Sequence, residues 1–229
     1  RPGFEKVLTE KLFIKRKINQ SERLQEAIEN GVPDNETLTN FVFDDATNLF
    51  EGVVARTNVM KGQFLATGTV KIKENNVDMS IDYGVPSSAK VTLTNWSAAD
   101  ADIMGDIQKM VTVAEDSGYV VTNAVTSLKM INYMRNNTAM QTAVLGAANK
   151  RLLTRQELAN LLMQEYGITV GRCDEKFRYR KADGTLSTGR YFKEDVFTLY
   201  EADAGGSFGT GLWGPTPEEN EYRQFIQEE

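Results

Sequence analysis

Residues 36–61 read ETLTNFVFDDATNLFEGVVARTNVMK, and the way this stretch folds decides how the rest of the chain must pack. Leu38, Val42, Ala46, Leu49, Val53 and Met60 recur at steps of three and four, broken near Thr57, which is the period of a helix. Phe41, Phe43, Phe50 and Val54 widen the apolar stripe to more than half the circumference. At about 1.5 Å per residue the helix would be about 39 Å long, beyond the roughly 8–20 residues usual in globular proteins. Asp34 or Asn35 can cap its start, Glu36 suits the positive end of the helix dipole, and Lys61-Gly62 supplies a cation and a stop. A helix with two apolar flanks is a spine onto which other elements pack from both sides. Its one adjacent carboxylate pair, Asp44-Asp45, projects in directions about 100° apart and reads as a solvated edge rather than an acid/base pair.

Downstream of Gly62 the apolar period changes to two. Val70 and Ile72 alternate with Lys71 and Lys73, Glu74-Asn75-Asn76 turns, and Val77, Met79 and Ile81 alternate with Asp78, Ser80 and Asp82. This predicts an antiparallel hairpin with one buried face, and Lys90–Leu93 reads as a further strand after the Val85-Pro86 turn. From Trp96 the helical period returns, with a stripe of Ile103, Ile107, Met110 or Val111, and Ala114 stopped by Gly118. Tyr119–Val125 reads as a short buried strand. Leu128, Ile131 and Met134 mark a helix that breaks at Asn136-Asn137, and 138–150 reads as helical again. Thr154 and Glu157 have capping-box spacing, opening a helix that buries Leu158, Leu161 and Leu162 and ends at Gly167. Ile168–Arg172 and Val196–Tyr200 read as strands, and Asp183-Gly184 is a turn between two polar extended runs within Phe177–Phe192. Upstream, Arg1–Arg16 reads as an extended arm, with Lys15-Arg16-Lys17 solvated, and Ser21–Asn30 as a short helix closed by Gly31-Val32-Pro33. The expected fold class is α+β.

Composition narrows the function by exclusion. A chain of 229 residues with 41% hydrophobic and 25% charged residues can bury a globular core. No apolar run approaches the roughly 18 residues of a membrane span, so no membrane partner is expected. With no histidine, neither a Ser-His nor a Cys-His pair nor a histidine metal ligand is available. The single cysteine, Cys173, permits no internal disulfide and no thiolate cluster, and reads as a small hydrophobe. A net charge of −6 argues against a dedicated nucleic-acid binder while tolerating DNA nearby. The chain opens at Arg1 rather than Met, which points to a processed protein or a fragment.

Three short motifs fail on context. Gly209-Thr-Gly211-Leu-Trp-Gly214 has the letters of GxGxxG, but Pro215-Thr216-Pro217 follows at once, so no dinucleotide-binding helix begins there. Ser87-Ser-Ala-Lys90 has the letters of SxxK beside a proline turn, with no companion KTG. Asp100, Asp102 and Asp106 suggest a calcium loop until Met104 is found at its fifth position; as acids in a first helical turn they have a dipole explanation. No catalytic, cofactor-binding or metal-binding residue is assigned.

The tail carries a different signal. Gly209-Thr-Gly211-Leu-Trp213-Gly214-Pro215-Thr216-Pro217-Glu218-Glu219 resembles the C-terminal signature of the major capsid protein E family of lambda-like tailed phages. Ile81-Asp82-Tyr83-Gly84, Trp96, Asp102-Ile103, Tyr119–Leu128 and the run Phe192-Lys-Glu-Asp195-Val-Phe-Thr-Leu199 fall in that family's order, so the resemblance spans Lys11–Tyr222. It implies a Hong Kong 97-type capsid fold. Residues 1–17 would be the returning half of an extended loop, and 18–95 a peripheral domain with the spine helix at 36–61. Residues 96–200 would be an inserted mixed α/β axial domain, and 201–229 the return to the peripheral domain. The family's N-terminal arm and most of its extended loop have no counterpart here, and no motif carries over the lysine–asparagine crosslink of some related capsids. The implied function is a structural head protein, not an enzyme. It would assemble through hexamers and pentamers into an icosahedral shell around phage or prophage DNA, in the bacterial host cytoplasm. Scaffold, decoration and portal proteins are the implied partners, with packaged DNA held non-specifically and no cofactor. Two competing readings are an encapsulin-like compartment shell, which a neighbouring cargo-enzyme gene would indicate, and a hydrolase using aspartates such as Asp44 or Asp195, which a deep pocket with paired carboxylates would indicate.

Overall fold

Helix α1 runs over Asn35–Thr67, 33 residues, in a computed structural model that describes residues 35–74, 77–181 and 184–202. The helix therefore passes straight through Gly62, where the sequence reading placed its stop. The reason is steric: a Cβ at Gly62 would collide with the backbone carbonyl of Tyr191, so the glycine lets another segment close on the helix. The terminator is Gly68, in the left-handed region at φ +70, whose N–H donates to Phe64 O at 2.7 Å. Over the part of α1 whose side chains are described, from Thr47 onward, the expected apolar flanks are also narrower. Leu49, Val53 and Met60 are half-buried, but Phe50 is 69% exposed and Val54 is exposed too.

Two compact units divide the chain, Arg1–Arg56 with Thr210–Glu229, and Thr57–Gly209. Of the first unit, only residues 35–56 lie among the described residues; the arm at 1–17, the short helix at 21–30 and the tail signature at 209–219 lie outside them.

In the second unit α1 ends against a hairpin, β1 (Thr69–Glu74) and β2 (Val77–Asp82), in the expected register, with Val70 opposite Ile81 and Ile72 opposite Met79. Val70 is buried and Ile72, Met79 and Ile81 are half-buried, whereas Lys71, Lys73, Asp78 and Ser80 are exposed, as period two requires. Gln63 Oε1 accepts from Lys71 N–H at 3.0 Å, and Phe64 packs edge-on to Tyr83, with ring centroids 4.8 Å apart, fixing the hairpin to the helix end. Residues 90–93 form no strand. Instead a 3-10 turn over Ser87–Ala89 leads into an irregular segment up to Asp102.

The remaining elements are α2 (Ile103–Asp116), β3 (Asn123–Thr126), α3 (Leu128–Asn136), α4 (Thr138–Leu145), α5 (Arg155–Tyr166), β4 (Thr169–Arg172), β5 (Lys176–Arg180), β6 (Leu186–Arg190) and β7 (Phe197–Tyr200). Strand β3 is central, parallel to β4 and antiparallel to β7. The parallel pair requires a crossover, supplied by α3, α4 and α5. The core lies between this sheet and the helices: Trp96, Ile103, Ile107, Val111, Ala124, Met130, Ile131, Met134, Leu158, Leu161, Leu162, Ile168 and Phe197 are all buried in one cluster. Strand β3 is shorter than expected. Tyr119 and Val120, read as part of a buried strand, are 60% and 67% exposed and form a corner after α2. Helix α4 stops at Leu145 rather than running to 150, because Gly146 takes a positive φ of 79.

The start of α5 follows the sequence closely. Thr154 Oγ1 accepts from Glu157 N–H, and the Glu157 carboxylate accepts from Thr154 N–H and pairs with Arg151. Arg151 first, then the Thr154 N–H, holds the Glu157 carboxyl well below its ordinary range, down to about 2. A depressed carboxyl stabilises the fold above its unfolded pKa, so this cap is intact above pH 4.5 and released as pH falls towards about 2. Amide exchange at the first turn of α5 is expected to accelerate across that window. Thr154→Ala is expected to cost about 1 kcal/mol in urea denaturation, and an unchanged midpoint would show that the cap is dispensable.

Candidate functional site

Two polar side chains fasten the irregular segment before α2. Asp106 faces inward from the first turns of α2, and its Oδ2 accepts from Thr94 N–H at 2.8 Å, Thr94 Oγ1 at 2.7 Å and Trp96 Nε1 at 2.8 Å. Burial by itself would raise this carboxyl, but the bonds from Trp96 and Thr94, with help from Lys109, hold it below its ordinary value. Asp106 does stand in the first turn of α2, but these three bonds give it a further role, while Asp102 caps α2 by accepting from Gly105 N–H at 3.0 Å. The second fastener is Asn137, fully buried between α3 and α4. Its Nδ2 donates to Ala101 O at 2.7 Å and Ala99 O at 3.2 Å, while its Oδ1 caps α4 at Met140 N–H. The sequence shows Asn137 only as a helix break; the doubled Asn136-Asn137 carried no sign of which amide turns inward.

A charged cluster stands at the other end of the sheet. Asp174 accepts from Leu128 N–H at the start of α3 at 2.9 Å, from Arg172 Nε at 2.5 Å and from Arg190 Nη1 at 3.1 Å. Arg190 also donates to Glu194 at 2.6 Å, and Ser127 Oγ donates to Glu194 O at 2.6 Å. Burial would raise the Asp174 carboxyl, yet Arg172, Leu128 N–H and Arg190 keep it below its ordinary value. Cys173, half-buried beside it, has its thiol pushed up by burial and by Glu175, which suits a packed side chain rather than a nucleophile. Every partner of Asp174 is a cation or a backbone donor, so the cluster ties β4, β6 and α3 together and leaves no proton poised for transfer.

Of the residues singled out in sequence, only some lie among the described residues. Asp195 is 62% exposed and bound to Lys129 Nζ at 2.6 Å, a bond that holds Lys129 as ammonium. Asp44 and Asp45 lie on α1, and their side chains fall outside the described residues. Ser87 and Lys90 sit on and after the 3-10 turn, both exposed, where no helix starts. The glycine loop around 209–214 lies outside the described residues. Among the described residues no group of His, Cys, Asp and Glu is placed to hold a metal ion, and no helix is long and apolar enough to cross a membrane.

An open groove of about 1400 Å³ lies between the end of α1, the segment 85–97, α2 and β7. It is larger than the roughly 300–1000 Å³ of small-molecule pockets, and its one charged pair, Lys129 with Asp195, is mutually satisfied.

No curated protein sequence matches the chain significantly. A crystal structure from E. coli CFT073, described as a candidate prophage capsid protein, is similar at 13% identity with a TM-score of 0.43, over 83% of this chain. The chain spans 55% of that protein's length. The family model described as phage major capsid protein E matches residues 9–221, a span that takes in α1, both hairpins and the whole three-stranded sheet, and the chain belongs to that family.

Proposed function

We propose that this protein is the structural tile of a phage or prophage head, assembling with copies of itself into a closed icosahedral shell around DNA. The observation that carries the reading is the family match over residues 9–221. On this reading the fold is of the Hong Kong 97 type. Helix α1 is the spine of a peripheral domain over 18–95, residues 1–17 belong to an extended loop, 96–200 form the axial domain, and 201–229 return to the periphery. Two features support that division: the α1 helix feeds directly into the β1–β2 hairpin, and the main buried cluster begins at Trp96 and ends at Phe197.

The chemistry of the described residues fits a tile better than a catalyst. Buried polar groups are spent on fastening loops, as at Asp106, Asn137 and Asp174, while large apolar side chains stand exposed at Tyr119, Val120, Met163, Tyr179 and Leu186. A shell gains strength because each modest contact is repeated and closure multiplies it. The acidic balance of −6 lets the shell enclose packaged DNA without immobilising it. Assembly would take place in the bacterial cytoplasm as hexamers and pentamers, in the company of scaffold, decoration and portal proteins. Sedimentation of the intact protein under assembly-favouring conditions is expected to show a fast-moving species far above the monomer. A single slow boundary at every concentration would overturn the proposal.

A further inference from the structure

Strand β3 has two very different ends. At about 3.3 Å per residue it spans roughly 13 Å, with Asn123 beside Thr169 and Tyr200 at one end, and Thr126 beside Arg172 and Phe197 at the other. The segments that meet at the first end are 112–122, 163–170 and 198–202. They contain Glu115, Asp116, Glu165 and Glu201 and no lysine or arginine. All four carboxylates are exposed, none is in an ion pair among the described residues, and three exposed apolar side chains, Tyr119, Val120 and Met163, stand among them. Ser117, Tyr119 and Glu201 line one wall of the same groove, which places the α2 corner next to the end of β7.

The second end leads into the β5–β6 hairpin. Residues 176–190 hold Lys176, Arg178, Arg180, Lys181 and Arg190 against Asp183 alone, so in a chain of net charge −6 this hairpin carries +4 and the remainder −10. Arg190 is occupied by Asp174 and Glu194 at the hairpin base, while Lys176, Arg178 and Lys181 are exposed and in no ion pair among the described residues. Period two puts Lys176 and Arg178 on one face with Leu186, 71% exposed, and Phe177 with Tyr179 on the other, with Phe177 also packed on Tyr191. A lone two-stranded hairpin is marginal in water and gains from a partner.

From this polarity we infer that copies of the chain meet head to tail: the basic β5–β6 hairpin of one subunit docks on the acidic, apolar corner of the next, at Glu115, Asp116, Tyr119, Val120, Glu165 and Glu201. The inference rests on the shell reading above and names the contact that would build its rings. The occupant is a second copy because each end offers what the other lacks, exposed apolar side chains bordered by charge of opposite sign. A contact between unlike patches on opposite ends of one sheet is heterologous, and repeated copies close into a ring when the rotation per copy allows it. The lysines and arginines along the hairpin discourage strand-on-strand addition, so the contact is made through side chains.

The test uses charge reversal in the intact protein, read by sedimentation and electron microscopy, with circular dichroism and thermal melting to verify folding. One variant carries Lys176→Glu, Arg178→Glu and Lys181→Glu; a second carries Glu115→Lys, Asp116→Lys, Glu165→Lys and Glu201→Lys; a third combines both sets. Each single-ended variant is expected to raise the concentration needed for assembly at least tenfold, and the combined variant to restore it, since both ends then change sign together. Added salt is expected to weaken assembly of the wild type. Single-ended variants that assemble like the wild type would overturn the inference while leaving the shell reading intact. A folded combined variant that stays dissociated would overturn it too, whereas a wild-type protein that never assembles would overturn the shell reading itself. Binding of the hairpin to DNA that survives reversal of the acidic end, with assembly unchanged, would reassign the hairpin to nucleic acid.

Discussion

Asp106→Ala is expected to be among the most damaging single changes in the chain, costing about 2–3 kcal/mol in urea denaturation. The carboxylate satisfies three donors at once, two from Thr94 and one from Trp96, and the Trp96 ring is buried against Phe197 with centroids 5.5 Å apart. Removing it strands the buried Trp96 N–H and gives up both bonds from Thr94, whose exposed position lets it turn to water. Asp106→Asn keeps an acceptor but gives up the charge-assisted bonds, so a smaller loss of about 1–2 kcal/mol is expected. Trp96→Phe deletes one donor and keeps most of the packing; its cost should be non-additive with Asp106→Ala in a double-mutant cycle. The pH dependence has a definite sign. The Asp106 carboxyl is held below its ordinary 3.8, so its contribution is complete above that pH and is lost as the pH falls through the lower folded value. Wild type should therefore lose more stability on acidification below pH 3.8 than Asp106→Asn does. If Asp106→Ala unfolds at the wild-type midpoint, the fastening role is wrong.

Gly62→Ala carries the second large effect, and its sign is opposite to the usual one. In an exposed helix, replacing glycine by alanine gains about 1 kcal/mol. At Gly62 the new Cβ would run into the carbonyl oxygen of Tyr191, a backbone atom that cannot swing aside. Tyr191 is tied back by its N–H to Glu175 O at 3.2 Å and is followed by the buried Phe192. Overpacking of this kind costs about 1–3 kcal/mol, so net destabilisation by urea denaturation is expected. A variant more stable than wild type would mean that the segment does not close on α1 as described.

The contrast between Gly62 and Gly68 shows what the sequence could and could not reveal. Both follow a helical stretch, and a stop signal read by composition falls on the first. Only the approach of Tyr191, from 129 residues further along the chain, makes Gly62 a spacer, and nothing local announces it. Elements whose cause is local were legible: the alternation of Val70, Ile72, Met79 and Ile81, the Thr154–Glu157 cap, the break at Asn136-Asn137. Those whose cause is tertiary were not. Tyr119 and Val120 carry strong strand propensity, yet the β3 ladder begins only at Asn123, where Thr169 and Tyr200 supply partners. Asp106 looked like an ordinary first-turn acid because its donors, Thr94 and Trp96, lie across a segment with no periodicity. For function, composition worked by exclusion and the ordered motifs from Ile81 to Glu219 pointed to the family. The opposed charge of the two sheet ends becomes visible only once β3, β4 and β7 are paired.

The shell reading is tested most directly by electron microscopy of the intact protein under assembly-favouring conditions. Closed particles or hexameric rings, with each subunit containing one unbroken helix over 35–67, are the expected result. A strictly monomeric product, whatever the concentration and salt, would contradict it.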